Sequence, residues 1–264
     1  MRTRIIAAAV AIPIVIVGLY LGGWVFFIGA LAVALIAGWE FDHMMKAGGY
    51  HTTLFIILSL IVLLLLDAFY PGLRMLPAII SLALLVSLVW QLTRHDKAPT
   101  ANWALTLAGA LYIGWGMGHL VAMRNLSDGL AMVTITLLTT WASDTFAYFT
   151  GRAIGGKIIE RKLWPRHSPK KTWEGMFGGI IGSIVIALII AAFVPSFSWV
   201  TALLVGAVVP IAGFFGDISI SMMKRDVGVK DSSHLFPGHG GFLDRIDSIL
   251  FVSIVVYYLV IWVG

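Results

Sequence analysis

Two stretches of this chain hold residues whose types and spacing can do chemistry. The first runs Gly216-Asp217-Ile218-Ser219-Ile220-Ser221-Met222-Met223-Lys224-Arg225, continues through Lys230-Asp231 and Pro237-Gly238-His239-Gly240-Gly241, and ends at Asp244-Arg245-Ile246-Asp247. Asp244 and Asp247 stand three apart and share one face of a helix, and Asp217 can meet them if two helix ends pack together. Three carboxylates at close range repel, so their ionised state wants a cation. Hard oxygen ligands favour Mg2+, Mn2+ or Ca2+ over zinc. Beside the acids stand Lys224, Arg225, Lys230 and Arg245, and the His239-Gly240-Gly241 turn precedes a helix start whose backbone N–H groups can face an anion. Acids for a metal and bases for phosphates are the two halves of a phosphoryl or nucleotidyl transfer site. The competing reading is a solvated loop whose opposite charges simply pair.

The second stretch begins with Asp144 and continues through Gly151-Arg152, Gly155-Gly156-Lys157 and Arg166-His167-Ser168-Pro169-Lys170-Lys171-Thr172-Trp173-Glu174-Gly175. Asp144 falls within about two turns of the end of an apolar span, where an unpaired carboxylate is expensive and is a functional candidate by default. Its alternative is a helix–helix hydrogen bond. Lys157, Arg166, Lys170 and Lys171 suit phosphates, or equally anionic lipid headgroups, each near-surface charge contributing on the order of 1 kcal/mol. Ser168-Pro169 with Thr172 and Glu174 also reads as the cap and first turn of a helix.

What must position these residues is a membrane-embedded helical scaffold. Of the 264 residues 59% are apolar and only 12% charged, with a mean hydropathy of +0.95, whereas a soluble domain carries about a quarter charged residues. Nine apolar spans are expected, at 5–21, 24–38, 54–69, 75–92, 103–122, 130–150, 175–194, 199–215 and 248–263, the second and third being short. The apolar runs are continuous rather than alternating, so the spans are helices and the fold class is all-α, a polytopic membrane protein. Arg2 and Arg4 open an uncleaved first span, since no small-residue cleavage site follows. With the N-terminus in the cytoplasm only Arg74 and Arg124 fall outside, leaving sixteen of the eighteen basic residues inside, as the positive-inside rule demands. The N-terminal spans occupy 1–100 and a catalytic region 101–264, with cytoplasmic loops at 151–174 and 216–247, and long polar loops among short ones are where function tends to sit. The pairs Gly175/Gly179 and Gly178/Gly182, and Gly114, Gly116 and Gly118, read as close helix packing.

Several chemistries are excluded or set aside. There is no cysteine, hence no disulfide, thiolate nucleophile or Cys-held metal. His43, His51, His95 and His119 lack ligand spacing, and neither a Walker-type nor a dinucleotide glycine motif appears in the polar loops. Asp67 reads as a carboxylate snorkelling to a nearby surface. The formal charge of +5 belongs to loops at a membrane face, so no nucleic-acid partner is expected.

Ser221-x-x-Lys224-Arg225, Lys230-Asp231 and Pro237-x-His239-Gly240-Gly241-x-x-Asp244-Arg245-x-Asp247 together resemble the signature of the phosphatidate cytidylyltransferase (CDP-diacylglycerol synthase) family. About a dozen residues over 27 positions carry the resemblance, and Asp144, Gly151-Arg152 and Ser168 to Gly175 resemble that family's upstream loop. The resemblance is strong over 144–247 and only architectural before it. Ile220 departs from it, standing where many bacterial relatives carry an acid. The resemblance implies transfer of CMP from CTP to phosphatidic acid with Mg2+, with or without a second cation, by a homodimer, and the compact length and short tails fit a bacterial inner-membrane enzyme. It implies Asp217, Asp244 and Asp247 as metal ligands. Lys170, Lys171, Lys224, Arg225, Lys230 and Arg245 would hold phosphates, Ser221 and His239 would orient them, and Asp144 would line the cavity. The alternatives are a CTP-dependent lipid kinase or another CDP-lipid synthase of the same superfamily and, from other classes, an ion-coupled transporter using Asp67, Asp144 and Asp217, or a scaffold. No internal repeat of the transporter kind is found.

Overall fold

The computed structural model describes residues 13–194, 197–233 and 240–263. Nearly all of them are helical: after a helical stretch at 13–21 come α1 (Gly23–Ala47), α2 (Leu54–Phe69), α3 (Leu76–Leu92), α4 (Pro99–Arg124), α5 (Gly129–Ile154), α6 (Trp173–Phe193), α7 (Trp199–Asp226) and α8 (Leu243–Val263). The all-α class holds. α1, α4, α6, α7 and α8 are long and apolar enough to cross a membrane, and α2 and α3 are shorter apolar helices. α5 is 26 residues long but rich in threonine. Its buried Thr136, Thr139 and Thr140 donate their hydroxyls to the carbonyls of Met132, Ile135 and Thr136 in the preceding turn, which satisfies them inside an apolar environment. The first expected span is described from residue 13 onward, where it is helical to residue 21; residues 5–12 lie outside the described residues.

Several helices outrun their hydropathy. α7 continues to Asp226 and α8 starts at Leu243, so much of the expected loop at 216–247 is helix and the connector is 227–242. Likewise α5 runs to Ile154 and α6 starts at Trp173, leaving 155–172 between them.

The chain divides into two compact units, Met1–Leu130 with Asp226–Ile246, and Ala131–Arg225 with Asp247–Gly264. In the first unit α2 packs against both α1 and α4. Gly38 of α1 lies against Ile61 of α2, and Gly114 of α4 against Leu64 and Ile61, so closely that a Cβ at either would clash. Asp67, partly exposed near the end of α2, accepts the Met75 N–H at 2.8 Å, bracing the turn before α3. Arg124 closes the end of the 13–21 helix by donating to the Leu19 carbonyl at 2.9 Å, a C-terminal cap by a cation.

In the second unit glycines set the helix spacing. Gly178, Gly179 and Gly182 of α6 lie against Thr150, Ser143 and Phe146 of α5, the close approach their four-residue spacing announces. A Cβ at Gly182 would stand 2.3 Å from the Phe146 ring. Gly182→Val is therefore expected to lower stability by about 1–3 kcal/mol through overpacking, read from the tryptophan-fluorescence unfolding transition in detergent. An unchanged transition would mean that α5 and α6 part without cost.

Candidate active site

In the second unit α7 and α8 meet where α7 has no side chain: a Cβ at Gly216 would come 2.5 Å from the Asp247 carbonyl oxygen and 3.0 Å from Ser248 Cα. This contact brings the backbone at Asp247 against the helix turn that carries Asp217. Asp217 is partly exposed at 32% and Lys171, at 28%, pairs with its Oδ2 at 2.5 Å. Ser221, one turn along α7, donates to Oδ1 at 3.1 Å. The Lys171 ammonium also lies 4.9 Å from the centre of the Phe214 ring, where the ring quadrupole favours a cation. Asp247 is buried, and its Oδ1 accepts the Ser248 N–H at 2.6 Å. Asp247 feels the charges of Asp217 and Asp144, offset by the buried Lys224, and Asp144 feels that of Asp217, offset by Lys171.

The loop 155–172 is built to hold Lys171 there. Leu163 donates its N–H to the Lys171 carbonyl at 3.1 Å, Lys171 donates to Ser168, and Trp164 and Ser168 form a single antiparallel bridge. Thr172 is the N-cap of α6, accepting the Gly175 N–H. Glu174 does not complete a capping box. Its Oε1 instead accepts the N–H groups of Gly156, Ile158 and Ile159 at 2.9–3.1 Å, tying the start of the loop to its end.

In the first unit Asp244 is held by its own connector. Its Oδ2 accepts from Ser232 N at 2.8 Å, Ser232 Oγ at 3.0 Å and Gly241 N at 3.0 Å. Gly240 sits at φ +71° with Asp244 where a side chain would be, so the motif glycine meets both a left-handed backbone and a close approach. Arg245 and Lys230 are exposed in this unit, and Lys170 and Arg225 are exposed in the other. Asp144 is exposed on α5. Ile220 is completely buried in the core, an apolar packing position in this chain. His239 lies outside the described residues.

One residue of this region escaped the sequence reading. Glu40 of α1 is wholly buried and accepts from Ser232, Ser233, Phe242 and Leu243. Its signal was present, an acid inside an apolar run, which by the reasoning applied to Asp144 makes it a candidate.

Among the described residues no group of three or more His, Asp or Glu side chains is gathered to hold a metal ion. Mg2+ does not require one, because it keeps several waters and is bound through one or two carboxylates plus substrate phosphates. Asp217 and Asp247 supply donors of that hard-oxygen kind, and they fit such an ion.

The sequence profile of the Cytidylyltransferase family matches residues 2–263. Among curated proteins, the phosphatidate cytidylyltransferase of Pseudomonas aeruginosa is 37% identical, covering 99% of this chain and 97% of that protein. Phosphatidate cytidylyltransferases of Synechocystis sp. and Staphylococcus haemolyticus are each 33% identical, the first covering 98% of this chain and 96% of the relative, the second 96% of both.

Proposed function

The chain belongs to the cytidylyltransferase family, and from that premise we propose that it transfers the cytidylyl group of CTP to phosphatidic acid, giving CDP-diacylglycerol and pyrophosphate. A phosphate oxygen of phosphatidate attacks the α-phosphorus of CTP, and the bond from that phosphorus to the β-phosphate oxygen breaks. The observation that carries the reading is the pairing of Lys171 with Asp217 beside the Gly216–Asp247 helix contact. A partly exposed ammonium next to acids is what a triphosphate and its counter-ion require of a protein.

The phosphatidate monoester is already an anion, so no strong general base is needed. Positioning and preorganised charge supply the rate. Lys171 would orient the triphosphate, joined by Lys170, Lys224, Arg225, Lys230 and Arg245. Ser221 holds the Asp217 carboxylate in place, and Asp144 and His239 are proposed to border the nucleotide. Mg2+, when bound, neutralises charge developing on the pyrophosphate leaving group. Asp217 and Asp247 are proposed to hold it, and Asp244, one turn earlier in α8, is proposed as a further oxygen donor. The chain is a multi-pass membrane protein, and we place its N-terminus and these residues on the cytoplasmic side of a bacterial inner membrane, where CTP arrives from water. A homodimer is the assembly we propose.

The experiment is product analysis with purified protein in detergent, given CTP, phosphatidic acid and Mg2+. CDP-diacylglycerol and pyrophosphate in equal amounts are expected. Phosphorylated lipid plus CDP, from a lipid alcohol acceptor, would make the protein a CTP-dependent kinase instead, and no turnover of CTP with any lipid would remove the reading.

A further inference from the structure

We propose that Glu40, far outside the family signature, is a positioning residue for this reaction, acting through the connector that holds Asp244. The inference rests on the function proposed above. Its Oε1 accepts the Ser233 hydroxyl at 2.5 Å and the Phe242 N–H at 2.9 Å, and its Oε2 accepts the Leu243 N–H at 2.7 Å and the Ser232 hydroxyl at 3.1 Å. Four donors thus converge on one carboxylate with 0% exposure. Leu243 opens α8 and Phe242 immediately precedes it, so Glu40 satisfies N–H groups at a helix N-terminus, where both the orphan donors and the helix dipole favour negative charge.

The link to Asp244 is Ser232. Its one hydroxyl proton faces Glu40 Oε2 at 3.1 Å and Asp244 Oδ2 at 3.0 Å, so the two carboxylates share a single donor and neither can shift without changing the other's bond. The space is equally shared. A Cβ at Gly241 would come 2.1 Å from Ser232 Oγ and 2.4 Å from Glu40 Oε2, so the second glycine of the motif leaves room for a carboxylate supplied from α1. Gly241 in turn donates its N–H to Asp244. Glu40, Ser232, Gly241 and Asp244 form one hydrogen-bonded set in which only Asp244 is proposed to touch the reacting groups.

Glu40→Gln is the test, because an amide of the same size puts its own N–H donors against donors. Outer-shell partners of metal ligands set metal affinity by about 10–100-fold. The half-saturating Mg2+ concentration for CDP-diacylglycerol formation should therefore rise at least about tenfold, and amide hydrogen exchange at 241–243 should accelerate in parallel without substrate. Glu40→Asp, which keeps the charge, should recover part of both. Ser233→Ala, which removes one donor and leaves three, gives the same direction with smaller size and covers a Glu40→Gln protein that fails to fold. Loss of turnover in proportion to lost folded protein, with Mg2+ dependence unmoved in these variants, would reduce Glu40 to a structural clamp and overturn the inference, as would unchanged exchange at 241–243. A wild type that forms no CDP-lipid sinks the proposed function, whereas an active wild type with an unperturbed Glu40→Gln sinks only this inference.

Discussion

Asp217→Asn is expected to lower the kcat for CDP-diacylglycerol formation by about 10³-fold, equivalent to about 4 kcal/mol of transition-state stabilisation. The substitution keeps size and shape, and the Ser221 hydroxyl can still donate to the remaining oxygen as it does now at 3.1 Å. What it removes is charge. A neutral amide is a poor ligand for a hard divalent cation, and it leaves the Lys171 ammonium, now 2.5 Å from Oδ2, without its counter-charge. Because Asp217 is partly exposed, its effect on folding should be small, since such pairs contribute about 0–1 kcal/mol. Product formation measured beside the thermal unfolding transition separates chemistry from folding. Activity within tenfold of wild type would remove Asp217 from the catalytic machinery.

Lys171→Met should cost about 10²-fold in kcat/KM, roughly the loss on removing one preorganised electrostatic partner of a transition state. Methionine keeps the length of the side chain and can lie against the Phe214 ring that the lysine now faces, since thioether sulfur packs well on aromatics. The lost function is then the charge. A lysine that only attracts anionic headgroups would behave differently, its contribution being on the order of 1 kcal/mol and replaceable by anionic lipid. Kinetics at low and high mole fraction of an anionic lipid other than phosphatidate decide between them. A deficit that disappears in the anionic membrane would assign Lys171 to lipid attraction.

The helical class and the glycine contacts were open to reading because both follow from composition and local spacing. Gly178, Gly179 and Gly182 announce a close approach whatever lies opposite, and the structure supplies Thr150, Ser143 and Phe146. The ends of α1 and α7 were harder because hydropathy falls where charge begins, while backbone hydrogen bonding is indifferent to it. Their true stops are glycines, Gly49 at φ +84° and Gly228 at φ +76°, a helix-ending signal that was visible in the sequence. The spacing at 168–174 suggests a cap for Glu174, yet its carboxylate serves three N–H groups 15 to 18 residues upstream. Spacing rules see neighbours three or four apart. Glu40 marks their limit, since a carboxylate on α1 has no local pattern that names Ser232 or Leu243 as its partners.

That distance along the chain also sets a schedule for making the protein. Glu40 and its donors are separated by 192 to 203 residues, and at about 5–20 residues per second a ribosome needs roughly 10–40 s to travel between them. For that interval α1 is already synthesised with an acid whose final donors do not yet exist. Whatever the insertion machinery does with the first helices, it must keep this segment near water or otherwise solvated until α8 begins. A nascent chain halted before Ser232 is thus a natural client of membrane quality control.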